Sequence, residues 1–275
     1  MTTTLRPVEP LQQHPDGTRS RRYQVCVNSR PVGDIHLGTS PTLGETVARI
    51  DELRIAEADR RRGRGTIAAL AAEEVARGWG CRQIEVLVPA ASADIALRLF
   101  DALGYTLRNR GMEKRLDAAP PALPPGRRVR PMTEAEFEAW RVREGERYAR
   151  MWTERGVPEA TARAKARDDH ARLLPHGLAT GNMLFSVLES EGSRVGTLWL
   201  ALREATAYVY DVATDAAERG RGHGRALMLL AERQALEAGR PLLGLNVFAG
   251  NIPAERLYES LGYETVTYSL SKPLL

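Results

Sequence analysis

The sequence has few cysteines and no long apolar run, and both absences narrow the class of protein. Cys26 and Cys81 are the only cysteines among 275 residues, too few for a disulfide framework or a cysteine-rich metal site. No apolar stretch approaches the roughly 20 residues that span a bilayer, and residues 1–10 lack the apolar core of a signal peptide. We therefore expect a cytoplasmic protein without membrane contact and without a bound metal.

Positive charge and aromatic residues are also modest. The net charge is +4 with a pI near 9.3, and aromatic residues make up 6% of the chain. This balance suits anionic ligands and falls short of the dense basic surface that nucleic-acid binding requires. The arginine run at 60–62 has few aromatic neighbours, so a nucleic-acid patch there is the less favoured interpretation.

The sequence does contain a repeat. Residues 60–65, RRRGRG, return at 219–224 as RGRGHG, and residues 96–105, ALRLFDALGY, return at 254–263 as AERLYESLGY. The two matches lie at offsets of 159 and 158 residues. A chain of this length supports two domains with cores of their own, so each copy is expected to be a whole domain.

A proline-rich segment separates the copies. Residues 118–126 read AAPPALPPG, and prolines fix φ and donate no backbone hydrogen bond. The segment is therefore predicted to be a semi-rigid linker between a first domain at 1–117 and a second domain at 127–275.

The second copy is the longer one. Its extra residues fall within 133–178 and are predicted to form two helices, the first with a capping box of Thr133 and Glu136 and the second opened by Pro158. The first copy has only the polar residues 11–20 at this point, which are predicted to form a loop.

Alternating apolar residues and turn signals define the remaining elements of the second copy. A helix follows the Gly-rich loop and ends at Gly239, and a second one begins at the cap Asn251 and ends at Gly262. Strands are predicted at 183–189, 195–202, 208–214, 242–248 and 265–270.

The Gly-rich loop is predicted to bind an anion. It lies between a strand and a helix, and its glycines let backbone N–H groups turn inward beside the positive end of the helix dipole. Arg219 and Arg221 add charge. The alternative is an ordinary strand-to-helix turn. A dinucleotide-binding loop is the poorer alternative, because the glycine spacing differs from G-x-G-x-x-G.

The two motifs together resemble the GNAT superfamily of acyl-CoA N-acyltransferases. The first is Arg-x-x-Gly-x-Gly at 219–224, and the second is Asn-x-x-Ala-x-x-Leu-Tyr-x-x-x-Gly-Tyr at 251–263. The resemblance covers 127–275 and, more weakly, 1–117, in a layout similar to the mycothiol synthase branch, where the C-terminal copy is active. It implies an α/β fold of two tandem domains, each a mixed, splayed, mostly antiparallel sheet flanked by helices.

The same resemblance implies a binding site for acetyl-CoA as the co-substrate. The loop amides would hold the pyrophosphate, and backbone amides near Ala213 and Thr214 would bind the thioester carbonyl. The implied cofactor-binding residues are Val212, Ala213, Thr214, Arg219, Gly220, Arg221, Gly222, His223, Gly224, Arg225, Asn251 and Tyr258. For the His223 side chain, phosphate binding and simple exposure are both open, and exposure is favoured.

Tyr258 is the expected general acid, since the family places a tyrosine here beside the CoA sulfur. A phenol with a pKa near 10 keeps its proton at neutral pH, so the hydroxyl can donate a hydrogen bond and then a proton to the sulfur of the leaving thiolate. The alternative is a core aromatic residue. The first copy has Phe100 at this position, which satisfies packing without a hydroxyl.

The general base is less clearly marked. Asp211 precedes the loop on its strand and is the favoured candidate, although strand alternation allows it to point away. Glu144 in the inserted helices is weaker, because a solvated helix face is its simpler interpretation. In the first copy Ala93 replaces the capping Asn251, and we expect a scaffold domain there.

The sequence thus predicts an acetyl-CoA-dependent N-acetyltransferase whose second domain, 127–275, moves an acetyl group directly to a primary amine of a small molecule. The alternative is a non-catalytic acyl-CoA-binding or regulatory protein. Acetyl-CoA and a small-molecule amine are the expected partners, without nucleic acid or membrane, and the chain is expected to be a monomer or homodimer.

Overall fold

The computed structural model describes residues 3–154 and 157–274. Contacts divide the chain into two compact units, Met1–Arg110 with Val266–Leu275, and Gly111–Thr265. The first unit therefore includes the last strand of the chain, whereas the repeat assigns that strand to the second copy. The sequence-based bounds of 1–117 and 127–275 stay a prediction about the repeat.

The first unit is a mixed sheet with two α-helices. Its elements are β1 (Thr3–Pro7), β2 (Gln12–Gln13), β3 (Arg19–Val27), β4 (Arg30–Ser40), β5 (Gly44–Ile55), a 3₁₀ turn (Glu57–Asp59), α1 (Arg64–Gly78), β6 (Gln83–Pro89), a 3₁₀ turn (Ala90–Ser92), α2 (Ala93–Ala102), the start of β7 (Thr106–Arg115) and, from the end of the chain, β13 (Glu264–Pro273). The strand order is β1-β3-β4-β5-β6-β13-β7. Only β5 and β6 are parallel among the pairs whose register the structure gives.

A buried ion pair accompanies β13 in the first unit. Lys272 on β13 places its Nζ 2.7 Å from a carboxylate oxygen of Glu73 on α1, and Glu73 is 1% exposed. The second unit repeats this pair with the equivalent lysine of β7, whose Nζ lies 2.8 Å from Glu232. In each unit a lysine on the strand that the other copy of the repeat contributes, β13 in the first unit and β7 in the second, is thus bound to a buried carboxylate on a helix.

The second unit has the same plan with two additional helices. Its elements are the end of β7, β8 (Arg127–Pro131), α3 (Glu134–Thr153), α4 (Glu159–Leu173), a 3₁₀ turn (Gly177–Ala179), β9 (Met183–Ser190), β10 (Ser193–Leu202), β11 (Ala207–Thr214), a 3₁₀ turn (Ala216–Glu218), α5 (His223–Glu237), β12 (Leu242–Phe248) and α6 (Ile252–Ser260). The strand order is β7-β12-β11-β10-β9-β8. The expected fold class, with mixed, mostly antiparallel sheets flanked by helices, is confirmed.

Local signals in the sequence place most helix ends correctly. The Thr133 hydroxyl accepts a bond from the Glu136 N–H while the Glu136 carboxylate accepts from the Thr133 N–H at 2.9 Å, so the capping box is confirmed. Asn251 caps α6, and Gly262 follows it with φ +84°. The expected loop at 11–20 is wrong in part, because β2 and the start of β3 pair there.

Two apolar clusters fill the second unit. One lies between the sheet and α5, with Leu198, Leu227 and Leu243 fully buried. The other is mainly aromatic and lies under α3 and α4; its buried members are Met132, Phe137, Trp140, Leu174, Phe185, Val187 and Trp199. The inserted helices therefore bring an aromatic cluster that borders the candidate site.

Candidate active site

The two parallel strands at the centre of the second unit pair over only part of their length. Residues 207–209 of β11 pair with 243–245 of β12. Both strands continue beyond the last pair, β11 to Thr214 and β12 to Phe248. The expected splaying is therefore present, and it leaves an opening between the carboxyl ends of the two strands.

A β-bulge on β11 lies at the start of this opening. The register against β10 shifts so that Tyr210 is the extra residue, and Val212, Ala213 and Thr214 then pair with β10. Because antiparallel residues alternate between bonded and unbonded sides, some backbone N–H groups of this segment face the opening. These are the groups that the sequence predicted to bind the thioester carbonyl.

The Gly-rich loop follows the end of β11 and leads into α5. Gly220 and Gly222 have φ of +78° and +79°, a left-handed conformation that favours glycine. The first helical bond runs from the Ala226 N–H to the Gly222 carbonyl, so the N–H groups of the preceding turn have no intrahelical acceptor. The geometry suits an anion at the helix start.

Gly224 links the two sequence motifs physically. A Cβ added there would lie 3.2 Å from Leu257 Cδ2 on α6 and 3.8 Å from Thr214 Oγ1. A larger residue would require the Leu257 side chain to shift by a few tenths of an ångström. The glycine therefore allows the close packing of the helix that carries Tyr258 against the start of α5.

Four arginines border the loop. Arg219 is exposed, the Arg221 guanidinium donates to Glu218 at 3.1 Å, and Arg225 donates to the Ser260 hydroxyl at 2.6 Å. Arg127 donates to the Arg221 carbonyl at 3.5 Å. The loop region is therefore rich in positive charge, part of which is balanced by Glu218.

The favoured exposure of His223 is wrong. Its side chain is 3% exposed, and Nε2 lies 3.5 Å from Glu218 Oε2. The equivalent residue of the first copy, Arg64, is also buried and is ion-paired with Asp59. In both copies this side chain is buried and paired with the acidic residue five positions earlier. The His223 ring is therefore not available to an anion at the helix start, whereas the backbone N–H of His223 is.

The loop of the first copy keeps the same backbone. Arg61 has φ +55° at the position of Gly220, and Gly63 has φ +70°. A Cβ on Gly65 would lie 3.1 Å from Leu99 Cδ1, which repeats the approach of Gly224 to Leu257. Arginine in the left-handed region is strained by roughly 1–2 kcal/mol, so the surrounding packing maintains this conformation.

Tyr258 lies on α6 and is 6% exposed. Its ring centroid lies 6.1 Å from that of Tyr263. Burial, together with the negative charge of Asp211, raises the pKa of Tyr258 to about 12. The phenol therefore stays protonated through the neutral range, as a proton donor must.

Asp211 is buried and turns toward α3. Its Oδ2 accepts a bond from Trp140 Nε1 at 3.1 Å, and its Oδ1 is ion-paired with the Arg147 guanidinium. Burial, opposed by the Arg147 charge, raises the pKa of the Asp211 carboxyl. Both oxygens of Asp211 thus already hold donors from α3, and its role as base stays a prediction.

Glu144 is buried, contrary to the solvated helix face that the sequence favoured. Its carboxylate is 7% exposed and lies 3.4 Å from Arg147 Nη2 and 2.5 Å from His170 Nε2. Because α4 packs along α3, His170 on α4 covers the face on which Glu144 lies. Sequence reasoning assigned no role to Arg147, although its three-residue spacing from Glu144 on one helix face was a usable signal.

A cleft in the second unit lies away from the loop. It has a volume of about 590 Å³ and runs along the outer side of α3 and α4, where Val142, Arg141 and Arg167 line it. His170 is its one residue that also contacts the buried carboxylates. Neither the loop nor Tyr258 borders this cleft.

Comparison with known proteins decides the family. The model of the acetyltransferase (GNAT) family matches residues 3–105 and 137–263, which is most of both copies. The chain belongs to the GNAT family. It is therefore an acyltransferase of tandem GNAT architecture, and acetyl-CoA is the acyl donor that this family uses.

The individual relatives cover different parts of the chain. The uncharacterized N-acetyltransferase YdgE of Bacillus subtilis is 30% identical over 154 residues, 52% of this chain and 95% of the relative. The mycothiol acetyltransferase of Thermomonospora curvata is 37% identical over 76 residues, 27% of this chain and 26% of that protein. A tandem GNAT protein from the clavulanic acid biosynthesis pathway shares the fold over 96% of this chain and 85% of its own, with a TM-score of 0.52 and 19% identity.

Two further features concern metals and membranes. Residues 3–154 and 157–274 contain no group of three or more His, Cys, Asp or Glu side chains placed to hold a metal ion, and the absence of a metal stays a prediction. Within the same residues no helix has the length and hydropathy of a membrane span.

Proposed function

We propose that the second unit transfers the acetyl group of acetyl-CoA directly to a primary amine of a small molecule. The observation that carries the proposal is the buried hydroxyl of Tyr258, with a pKa of about 12, on α6, which packs against the start of α5 at Gly224, whereas the first copy has Phe100 at this position. The packing at Gly224 joins the anion-binding start of α5 to the helix that presents Tyr258, at the point where β11 and β12 splay. Donor binding and proton donation would thus occur at one place.

On the donor side, the free amides at the start of α5 would hold the pyrophosphate, with Arg219 and Arg221 adding charge. Pantetheine would enter between β11 and β12, parallel to the backbone of 212–214. Preorganised N–H groups at this segment would stabilise the oxyanion that forms on the thioester carbonyl. Asn251 would fix the first turn of α6 and so the position of Tyr258.

The chemical step requires an uncharged amine. Its nitrogen attacks the thioester carbon, the C–N bond forms and the C–S bond breaks. The amine loses one proton to a carboxylate or to water, and Tyr258 donates its hydroxyl proton to the leaving thiolate. The Tyr258 phenolate then regains a proton from the protonated carboxylate or from solvent. Asp211 is the predicted proton acceptor, and Asp211→Asn tests that role because it keeps the size of the side chain.

The function is tested by incubating the full chain with acetyl-CoA and a panel of small primary amines. Thiol release and a product mass increased by one acetyl group are the expected results. Binding of acetyl-CoA without turnover of any amine in the panel would contradict the proposal and favour an acyl-CoA-binding regulator. The same assay on diamines and amino-acid derivatives would narrow the acceptor.

A further inference from the structure

The inserted helices α3 and α4 form a cleft that the proposed reaction does not use. Its volume is about 590 Å³, within the range of roughly 300–1,000 Å³ that is typical of small-molecule sites. Neither the Gly-rich loop nor Tyr258 borders it, and the first copy has no counterpart to these helices among the described residues. The cleft therefore lies apart from the site proposed for acetyl transfer.

Buried small and apolar side chains line part of the cleft. Ala149 and Ala166 are 5% and 3% exposed, and Phe137 and Leu174 are also buried. Val142, by contrast, is 56% exposed although it lines the same cleft. Because removing apolar area from water stabilises a complex roughly in proportion to that area, an apolar ligand group would gain from covering Val142 and the alanines.

Three arginines line the cleft, one from α3 and two from α4. The two on α4, Arg163 and Arg167, are four residues apart, so they lie on one face of the helix, where like charges repel. Arg167 is exposed and has no hydrogen bond or ion pair with the described residues. Arg163 bonds to Glu159 at 3.0 Å, but both side chains are more than half exposed, and such a surface pair is weak. A ligand carboxylate would therefore find both guanidiniums available.

The acidic residues of the cleft limit the charge that it accepts. Glu138 and Glu146 line it from α3. Glu138 is bound to Arg141 at 2.7 Å, whereas Glu146 is exposed and has no ion-pair partner among the described residues. Three arginines and two glutamates leave the lining with a net charge of +1 when His170 is neutral. This balance favours a ligand with one negative charge over a ligand with two.

We propose that this cleft binds a small organic monoanion, a carboxylate carried on an apolar chain. The carboxylate binds Arg167, Arg163 adds positive charge, and the chain covers Val142 and the alanines. A planar guanidinium matches a carboxylate through two parallel hydrogen bonds, so Arg167 decides the preference for an anion. The inference goes beyond the proposed function, since binding in the cleft requires neither acetyl-CoA nor an amine.

Calorimetric titration of the full chain at pH 7 and constant ionic strength tests the proposal with four probes. Hexanoate has both the charge and the chain, hexanol only the chain, acetate only the charge, and adipate a second carboxylate in place of the terminal methyl group. We expect hexanoate to bind at least tenfold more tightly than each of the other three. A preference below threefold over any of them, or no detectable binding of hexanoate at millimolar concentration, overturns the proposal.

Matched variants locate the charged end of the site. In Arg167→Gln the preference for hexanoate over hexanol should fall below threefold. Arg143→Gln removes the same charge from an exposed position of α3 outside the cleft, and it should keep the preference. A preference that folded Arg167→Gln retains, or that both variants lose equally, overturns the assignment of the carboxylate to Arg167.

A third variant and a competition experiment locate the apolar end. Gly145 lines the cleft, and a Cβ added there would lie 3.6 Å from His170 Cε1, an ordinary contact. Gly145→Leu should therefore fill part of the cleft and weaken hexanoate at least tenfold, and because leucine favours a helix more than glycine does, thermal unfolding should show no loss of stability. Unchanged affinity in folded Gly145→Leu contradicts the proposal. Saturating acetyl-CoA should leave the affinity for hexanoate within twofold, whereas displacement of hexanoate would place its site at the Gly-rich loop and overturn the proposal.

Discussion

Alanine substitution of the loop glycine that precedes the helix can be made at equivalent positions of the two copies. Gly222 and Gly63 precede α5 and α1 with φ of +79° and +70°, and a Cβ added to either meets no atom within 4 Å. Substitution by alanine therefore adds conformational strain and no clash. A left-handed non-glycine residue costs roughly 1–2 kcal/mol, so Gly222→Ala and Gly63→Ala should destabilise their units by similar amounts.

Their effects on function should differ. If the strained loop relaxes in the free protein, binding of acetyl-CoA must restore the left-handed conformation, and 1–2 kcal/mol corresponds to a factor of about 5–30. We expect the KM of acetyl-CoA, measured by thiol release, to rise by that factor in Gly222→Ala and to stay within twofold in Gly63→Ala. Urea unfolding measures the shared strain. Equal increases of KM in the two variants, or no increase in Gly222→Ala, would refute the assignment of donor binding to the second unit.

Two other predictions concern stability. Lys272→Met removes the nearer cation of Glu73 and leaves Arg77, whose guanidinium lies 3.9 Å from the same carboxylate. Because a hydrogen bond to a charged group contributes about 1.5–3 kcal/mol, the free energy of unfolding of the first unit should fall by about 2 kcal/mol in a urea titration. A loss below about 0.5 kcal/mol would contradict the role of this pair in holding β13. The pKa of Tyr258 is about 12 in the folded chain and near 10 in an unfolded one, so the folded state retains the proton longer. The stability from the neutral phenol is therefore complete below pH 10 and lost as pH rises from 10 toward 12, and Tyr258→Phe should show a shallower alkaline loss of stability than the unmodified chain.

Local signals made much of the fold predictable. Thr133 with Glu136, and Asn251 with Gly262, mark helix ends through bonds made within a few residues, so the sequence alone is sufficient to locate them. The repeat and its two motifs identified the GNAT family, which the comparisons confirm. The Phe100 and Tyr258 difference between the copies is likewise visible in the sequence.

Features that depend on distant contacts were not predictable. β13 pairs in the first unit, but residues 112–116 and 270–274 are equivalent in the repeat, so the sequence does not show which sheet each strand joins. Glu144 follows a polar helical pattern, and only the packing of α4 against α3 buries it beside His170. The side chain of His223 is buried against Glu218. The spacing of the glycines does not reveal this contact.

The central claim, acetyl transfer in the second unit with Tyr258 as the acid, is tested most directly by the kcat of Tyr258→Phe. The first copy accommodates Phe100 at the same position with 4% exposure, so the substitution should keep the packing and remove only the hydroxyl. With acetyl-CoA and an accepted amine, kcat should fall by about 10²–10⁴, while Tyr263→Phe, a second buried tyrosine of the unit, should keep kcat within threefold. A kcat for Tyr258→Phe within threefold of the unmodified chain would contradict the account.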